Sequence, residues 1–127
     1  QPQALISFKQ GATGTEDFAA PERHGRGFGD RFPDRPDLAR VAAHAWEQNK
    51  NKHNEICDTM QPRVWGYKAD DAGSHDTPDD VMRKLENAAA ANCNLLLNTG
   101  PLPDGSINPE DEATLREVGK RLRQRNV

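Results

Sequence analysis

Asn94-Leu95-Leu96-Leu97-Asn98-Thr99-Gly100-Pro101, followed by Asp104-Gly105-Ser106-Ile107, is the stretch whose reading decides the fold. Three consecutive leucines show no alternation, the pattern of a strand buried on both faces. Polar Asn94 and Asn98 bracket the run. Gly100-Pro101 and Pro103-Asp104-Gly105 then stop the strand and turn the chain. A helix start follows at once. Asn108 is its N-cap, Pro109 takes the first helical position, and Glu110, Asp111 and Glu112 fill the first turn. This strand–loop–helix unit belongs to a parallel α/β protein. In such folds ligands meet the carboxyl ends of strands, so Asn98, Thr99 and the loop after them stand where chemistry is expected.

Outward from this unit, Ala4 to Phe8 is a short apolar run that reads as a buried strand. Lys9 to Asp37 is long and irregular, broken by Gly11, Gly14, Gly25, Gly27, Gly29, Pro21, Pro33 and Pro36. Stretches of this kind are usually functional or disordered. Gly25-x-Gly27-x-Gly29 superficially suggests a phosphate loop, but it neither follows a strand directly nor opens a helix. Leu38, Val41, Ala42, Ala45 and Trp46 recur at helical spacing and form one apolar face. Glu55 to Met60 reads as the second strand, followed by a turn that carries Trp65 and Tyr67. Thr77-Pro78-Asp79-Asp80 is a second helix N-terminus. Its buried face is Val81, Met82, Leu85, Ala88 and Ala89. In the last helix Leu115, Val118 and Leu122 point inward.

The chain has 127 residues, which suits one domain. That is about half of the ~250 residues of a complete (β/α)8 barrel. Charged residues make up 29% and hydrophobic ones 34%, a loop-rich composition with a modest core. The net charge of −3 argues against nucleic acid or an anionic membrane as main partner. The basic run from Lys120 to Arg125 suits the negative end of a helix dipole. The apolar runs fall far short of the ~18 residues of a membrane span, and no secretory leader is visible. Cys57 and Cys93 read as two buried thiols packing as small apolar groups, and two cysteines do not define a disulfide. His24, His44, His53 and His75 lack metal-ligand spacing and read as surface or loop residues. There is no nucleophile elbow, paired C-x-x-C or Walker motif.

The N-L-L-L-N-x-G-P-x-x-D-G-x-I stretch resembles the last barrel strand of the α-L-fucosidases, retaining exo-glycosidases that remove terminal L-fucose. Glu55-Ile56-Cys57-Asp58-Thr59-Met60 with Trp65-Gly66-Tyr67 is similar to that family's E-x-C strand and W-G-Y turn. Phe8-Lys9-Gln10-Gly11 through Thr15-Glu16-Asp17-Phe18-Ala19-Ala20-Pro21-Glu22 resembles the loop after the preceding strand, with its E-x-F-x-x-P-E pattern. The blocks occur in the family's order and span nearly the whole chain.

The resemblance implies a partial TIM-like (β/α)8 barrel, roughly its C-terminal half, with a long irregular loop. It implies removal of terminal α-L-fucose from glycans or small fucosides, without cofactor or metal. Retaining hydrolysis needs two carboxyl groups ~5–5.5 Å apart, one nucleophile and one acid/base. The family's nucleophile is an aspartate in a W-F-D-like setting, which nothing in this chain matches, so it is expected upstream. The acid/base follows the W-G-Y turn. Alignment from Gly66-Tyr67 favours Asp71, with Asp70 next to it. An arginine that some relatives carry after the Glu55 strand is absent here; Asp58 and Thr59 stand nearby.

Trp65 and Leu95 are candidates for the apolar wall around the fucose methyl group, with ordinary core packing the alternative for each. Glu55 suits a substrate contact or a structural hydrogen bond equally, and Glu16 and Glu22 read as positional. A partial barrel leaves edges uncovered, so either a homo-oligomer or a marginally stable monomer is expected. The rival reading is a non-catalytic partial-barrel binding or interaction module. Family members are often secreted, periplasmic or lysosomal, and the compartment is left open.

Overall fold

The computed structural model of the chain describes residues 1–8, 16–23, 34–62 and 64–125. The Gly25–Gly29 run lies outside them, as does most of the loop expected to be irregular. In chain order the elements are β1 (Ser7–Phe8), β2 (Phe18–Ala19), α1 (Pro36–Asn49), β3 (Asn54–Thr59), α2 (Pro78–Ala90), β4 (Cys93–Asn98) and α3 (Pro109–Arg125). A short 3-10 turn, Ala69–Asp71, lies between β3 and α2. This is an α/β segment. Its strands form two two-stranded sheets, β1–β2 and β3–β4. The contacts divide the chain into two compact units, Gln1–Asp58 with Asn87–Leu96 and Thr59–Glu86 with Leu97–Val127. Three elements, β3, α2 and β4, have residues in both.

In the first unit β1 and β2 pair in parallel, Ser7 opposite Phe18 and Phe8 opposite Ala19. A single parallel bridge joins Glu22 to Cys57 on β3. The first strand is shorter than the apolar run suggested, and it is not buried there: Leu5 is 76% exposed. Asp17 fixes the adjoining backbone. Its amide donates to the Ile6 carbonyl at 2.8 Å and its carboxylate accepts from the Ile6 amide at 2.7 Å. Those bonds hold the Ile6 backbone in place, while the Leu5 and Ile6 side chains stay exposed.

This unit's interior is small and partly polar, built on Ala19, Ala45, Ile56 and Ala88. The Asn54 side chain donates to the Asn49 carbonyl at 2.7 Å and accepts from the Ala19 amide at 2.9 Å. One buried amide thereby ties α1, β2 and β3 together and satisfies backbone groups that water cannot reach. On α1, Ala45 is buried and Trp46 half-buried, whereas Leu38 and Val41 are exposed.

The second unit has an apolar core of Met60, Val81, Met82 and Val118, with Leu85 and Leu97 against it. Its helices start where the sequence places them. The Asp80 amide donates to the Thr77 hydroxyl at 3.3 Å, and the Asp80 carboxylate accepts from the Thr77 amide at 3.0 Å. This is a reciprocal cap. Asn108 caps α3 by accepting from the Glu110 amide at 3.0 Å. The α3 face differs from expectation. Its buried residues are Asp111, Thr114 and Val118, while Leu115 and Leu122 stay exposed. Polar partners for Asp111 and Thr114 turn the helix, so the leucines fall at the margin of the stripe.

β4 also differs. Leu95 and Leu97 are half-buried, but Leu96 is 51% exposed. Two-fold alternation governs the strand, as in a sheet covered on one face, and not the two-sided burial that three leucines imply. On α2, Ala89 is exposed although Ala88 is buried.

Candidate active site

The loop after β3 and the end of β4 meet in the second unit through a hydrogen-bonded clamp. Asn98 at the end of β4 donates from its side-chain amide to the Trp65 carbonyl at 2.8 Å and to the Thr59 hydroxyl at 3.2 Å. Buried Gln61 donates to the Gly66 carbonyl at 2.7 Å and accepts from the Gly100 amide at 3.0 Å. The Met60 amide donates to the Asn98 carbonyl at 2.9 Å. The Trp65-Gly66 turn is therefore gripped from two sides.

Gly100 is required by close approach. A β-carbon there would stand 2.8 Å from the Gly66 carbonyl carbon and 2.9 Å from the Tyr67 nitrogen. Trp65 is half-buried and Tyr67 exposed. Sequence reasoning singled out Asn98 and Gly100 through their motif but missed Gln61. Nothing local distinguishes one glutamine whose partners lie on another loop.

Past the turn, Asp71 ends the 3-10 segment. Asp71 is 7% exposed, whereas Asp70 is exposed. The Lys68 ammonium lies 3.3 Å from Asp71 Oδ1. Oδ2 is buried with no hydrogen-bond partner among the described residues. An unsatisfied buried carboxylate oxygen is rare and calls for an explanation, of which a functional role is one. The charged group that the structure places against Asp71 is thus the Lys68 ammonium. Glu55 and Leu95, both half-buried, belong to the first unit. Asp58 and Thr59 are buried, and Thr59 serves the clamp.

The segment after Asp71 is held at several points. Ser74 donates to the Asp71 carbonyl from its amide at 3.0 Å and from its hydroxyl at 2.6 Å. Glu110 of α3 accepts from the Gly73 amide at 3.0 Å and the His75 amide at 3.3 Å. The His75 ring donates from Nδ1 to Asp111 Oδ1 at 2.6 Å, and the Thr99 hydroxyl donates to the other oxygen of Asp111. The Asp76 amide donates to the Met60 carbonyl at 2.8 Å, and the Lys84 ammonium reaches the Asp76 carboxylate at 2.5 Å. His75 is buried, not a surface histidine, and Asp111 is more than a helix-dipole partner.

Among the described residues no group of three or more His, Cys, Asp or Glu could hold a metal ion. No helix there is long and apolar enough to cross a membrane. Cys57 and Cys93 are half-buried and not joined to each other, and burial pushes the Cys93 thiol up from its ordinary value.

Comparison with known proteins fits this geometry to one family. The family model described as Alpha-L-fucosidase matches residues 8–126. The plasma alpha-L-fucosidase of Homo sapiens is 32% identical over 92 residues, covering 71% of this chain and 18% of that protein. The alpha-L-fucosidase of Branchiostoma floridae is 31% identical over 90 residues, 70% of this chain and 18% of that protein. Among solved structures, alpha-L-fucosidase isoenzyme 1 from Paenibacillus thiaminolyticus superposes with a TM-score of 0.67 at 30% identity. That likeness covers 97% of this chain and 27% of that one. The chain thus spans 18% of the length of these two curated relatives.

Proposed function

This chain belongs to the α-L-fucosidase family, and we propose that it is the C-terminal segment of a catalytic domain that removes terminal α-L-fucose from glycans or small fucosides. The observation that carries this reading is Asp71. It lies on the loop after the W-G-Y turn, buried, with one carboxylate oxygen unengaged. In this reading β1, β3 and β4 are strands of a TIM-like barrel whose aspartate nucleophile is supplied by sequence upstream of this chain. The likeness over 97% of the chain to the Paenibacillus enzyme supports that architecture.

Asp71, as the acid, gives its proton to the glycosidic oxygen while the C1–O bond breaks and the nucleophile bonds to C1. Asp71, now a carboxylate, takes a proton from water. That water attacks C1 and releases fucose and the nucleophile. Asp70 is the alternative acid, one residue away but solvated. Trp65, with its carbonyl fixed by Asn98, offers an aromatic face to the apolar side of the sugar. Leu95 and Glu55, both carried by the first unit, stay candidate substrate contacts on the family resemblance alone. The partner is a fucosylated glycan or a small fucoside. A second copy of the chain could cover the apolar surface left outside.

The test is Asp71→Asn in the enzyme that carries this segment. Turnover should fall steeply on fucosides with poor leaving groups and far less on activated aryl fucosides, because only the former need a proton. Equal losses on both would give Asp71 a structural role. The 127-residue chain alone should not turn over p-nitrophenyl-α-L-fucoside, since without the nucleophile no glycosyl-enzyme forms.

A further inference from the structure

The first turn of α3 carries a carboxylate that helix electrostatics does not explain. Acids near a helix N-terminus are ordinarily solvated and interact with the dipole. Asp111 is instead 0% exposed, and both its oxygens are bonded to groups outside the helix. A carboxylate removed from water survives only when its lone pairs are occupied. The occupants are specific. Thr99 follows Asn98, the residue that holds the Trp65 carbonyl. His75 lies four residues beyond Asp71. Glu110 next door accepts from the Gly73 and His75 amides, so two consecutive acids bind the segment 73–75 at three points. Ser74, inside that segment, donates twice to the Asp71 carbonyl. The chain of contacts runs Trp65, Asn98–Thr99, Asp111, His75, Ser74, Asp71.

We propose that Asp111 and His75 are positioning residues that set the Asp71 loop against the Trp65 turn. The proposal rests on the reading of Asp71 as acid/base. The arrangement is not a nucleophile relay. In such relays the histidine stands between hydroxyl and carboxylate, whereas here the carboxylate is central and itself accepts the Thr99 hydroxyl's hydrogen bond. Asp111 is sealed from solvent and touches no substrate, so its effect passes through where Asp71 sits. Small displacements of a catalytic group are costly, up to about 10²-fold for about 1 Å.

The experiment uses the fucosidase that carries this segment, with Asp71→Asn, His75→Ala, Asp111→Ala, His75→Asn and Asp111→Asn. An asparagine amide at 75 replaces the Nδ1 donor; one at 111 keeps an acceptor for it. The alanine variants should lose about tenfold or more in kcat on methyl α-L-fucoside, with KM within about twofold and activated aryl fucosides little affected. The asparagine variants should recover most of that loss. Amide exchange at Gly73 and His75 should quicken in the alanine variants and return in the asparagine ones. Should the alanine variants not fold, the asparagine variants against wild type decide, by the same leaving-group ratio and exchange rates. Equal losses on both substrates, or no recovery with asparagine, overturn the positioning role while a discriminating Asp71→Asn keeps the fucosidase reading. An Asp71→Asn that does not discriminate overturns both.

Discussion

Gly100 is the position in the clamp where one methyl group does most harm. The space a side chain needs is taken by the backbone of Gly66 and Tyr67, which cannot rotate away as a flexible side chain would. The same close approach lets the Gly100 amide reach Gln61. Gly100→Ala should therefore destabilise the chain by about 1–3 kcal/mol through backbone displacement. Denaturant melts of wild type and variant check this. A matching loss of protection at the Gly66 and Tyr67 amides would locate the effect in the clamp, and an unchanged midpoint would mean the loops separate at no cost. Gly100 and Asn98 were legible because they sit in a recognisable motif. Gln61 and Asp111 were not, because their value comes from partners 39 and 36 residues away.

Among the elements, α2 shows how a cap couples to pH. The Thr77 hydroxyl and amide donate to the Asp80 carboxylate and hold it below the usual aspartate value of 3.8, with Arg83 adding to the effect. A carboxylate with a depressed folded-state value stabilises the fold above its unfolded value. That stability is lost as pH falls through the lower folded-state value. The α2 cap should thus hold above about pH 4 and weaken below it, by about 1 kcal/mol, the worth of an N-cap. Asp80→Asn should remove this part of the acid sensitivity; melts of both proteins between pH 5 and pH 2.5, on the order of the aspartate range, measure it. Identical pH profiles would show that the reciprocal cap adds nothing. The N-termini of α2 and α3 were readable from four or five adjacent residues. The face α3 buries was not, since leucine spacing alone favoured Leu115 and Leu122 over Asp111 and Thr114.

For the whole molecule, exposed apolar residues dominate the expectation. Leu5, Ile6, Val41, Leu96 and Ile107 each have more than half of their surface open to solvent. Such surface normally marks an interaction site or a liability. The isolated 127-residue chain should therefore self-associate or unfold easily, with Ile6→Thr and Leu96→Thr reducing association in sedimentation. A monodisperse, highly stable monomer would count against an incomplete barrel. By itself the sequence determined the α/β class, the positions of β3 and β4, both well-capped helix starts and the family. Strand stops, caps and turns act over a few bonds, and motif order needs no contacts. Only the tertiary structure decided that Asp71 is buried with an oxygen to spare, that His75 and Asp111 are locked together, and that Leu96 faces outward. Burial and hydrogen-bond satisfaction belong to groups brought together from distant parts of the chain, and no local pattern records which groups those will be.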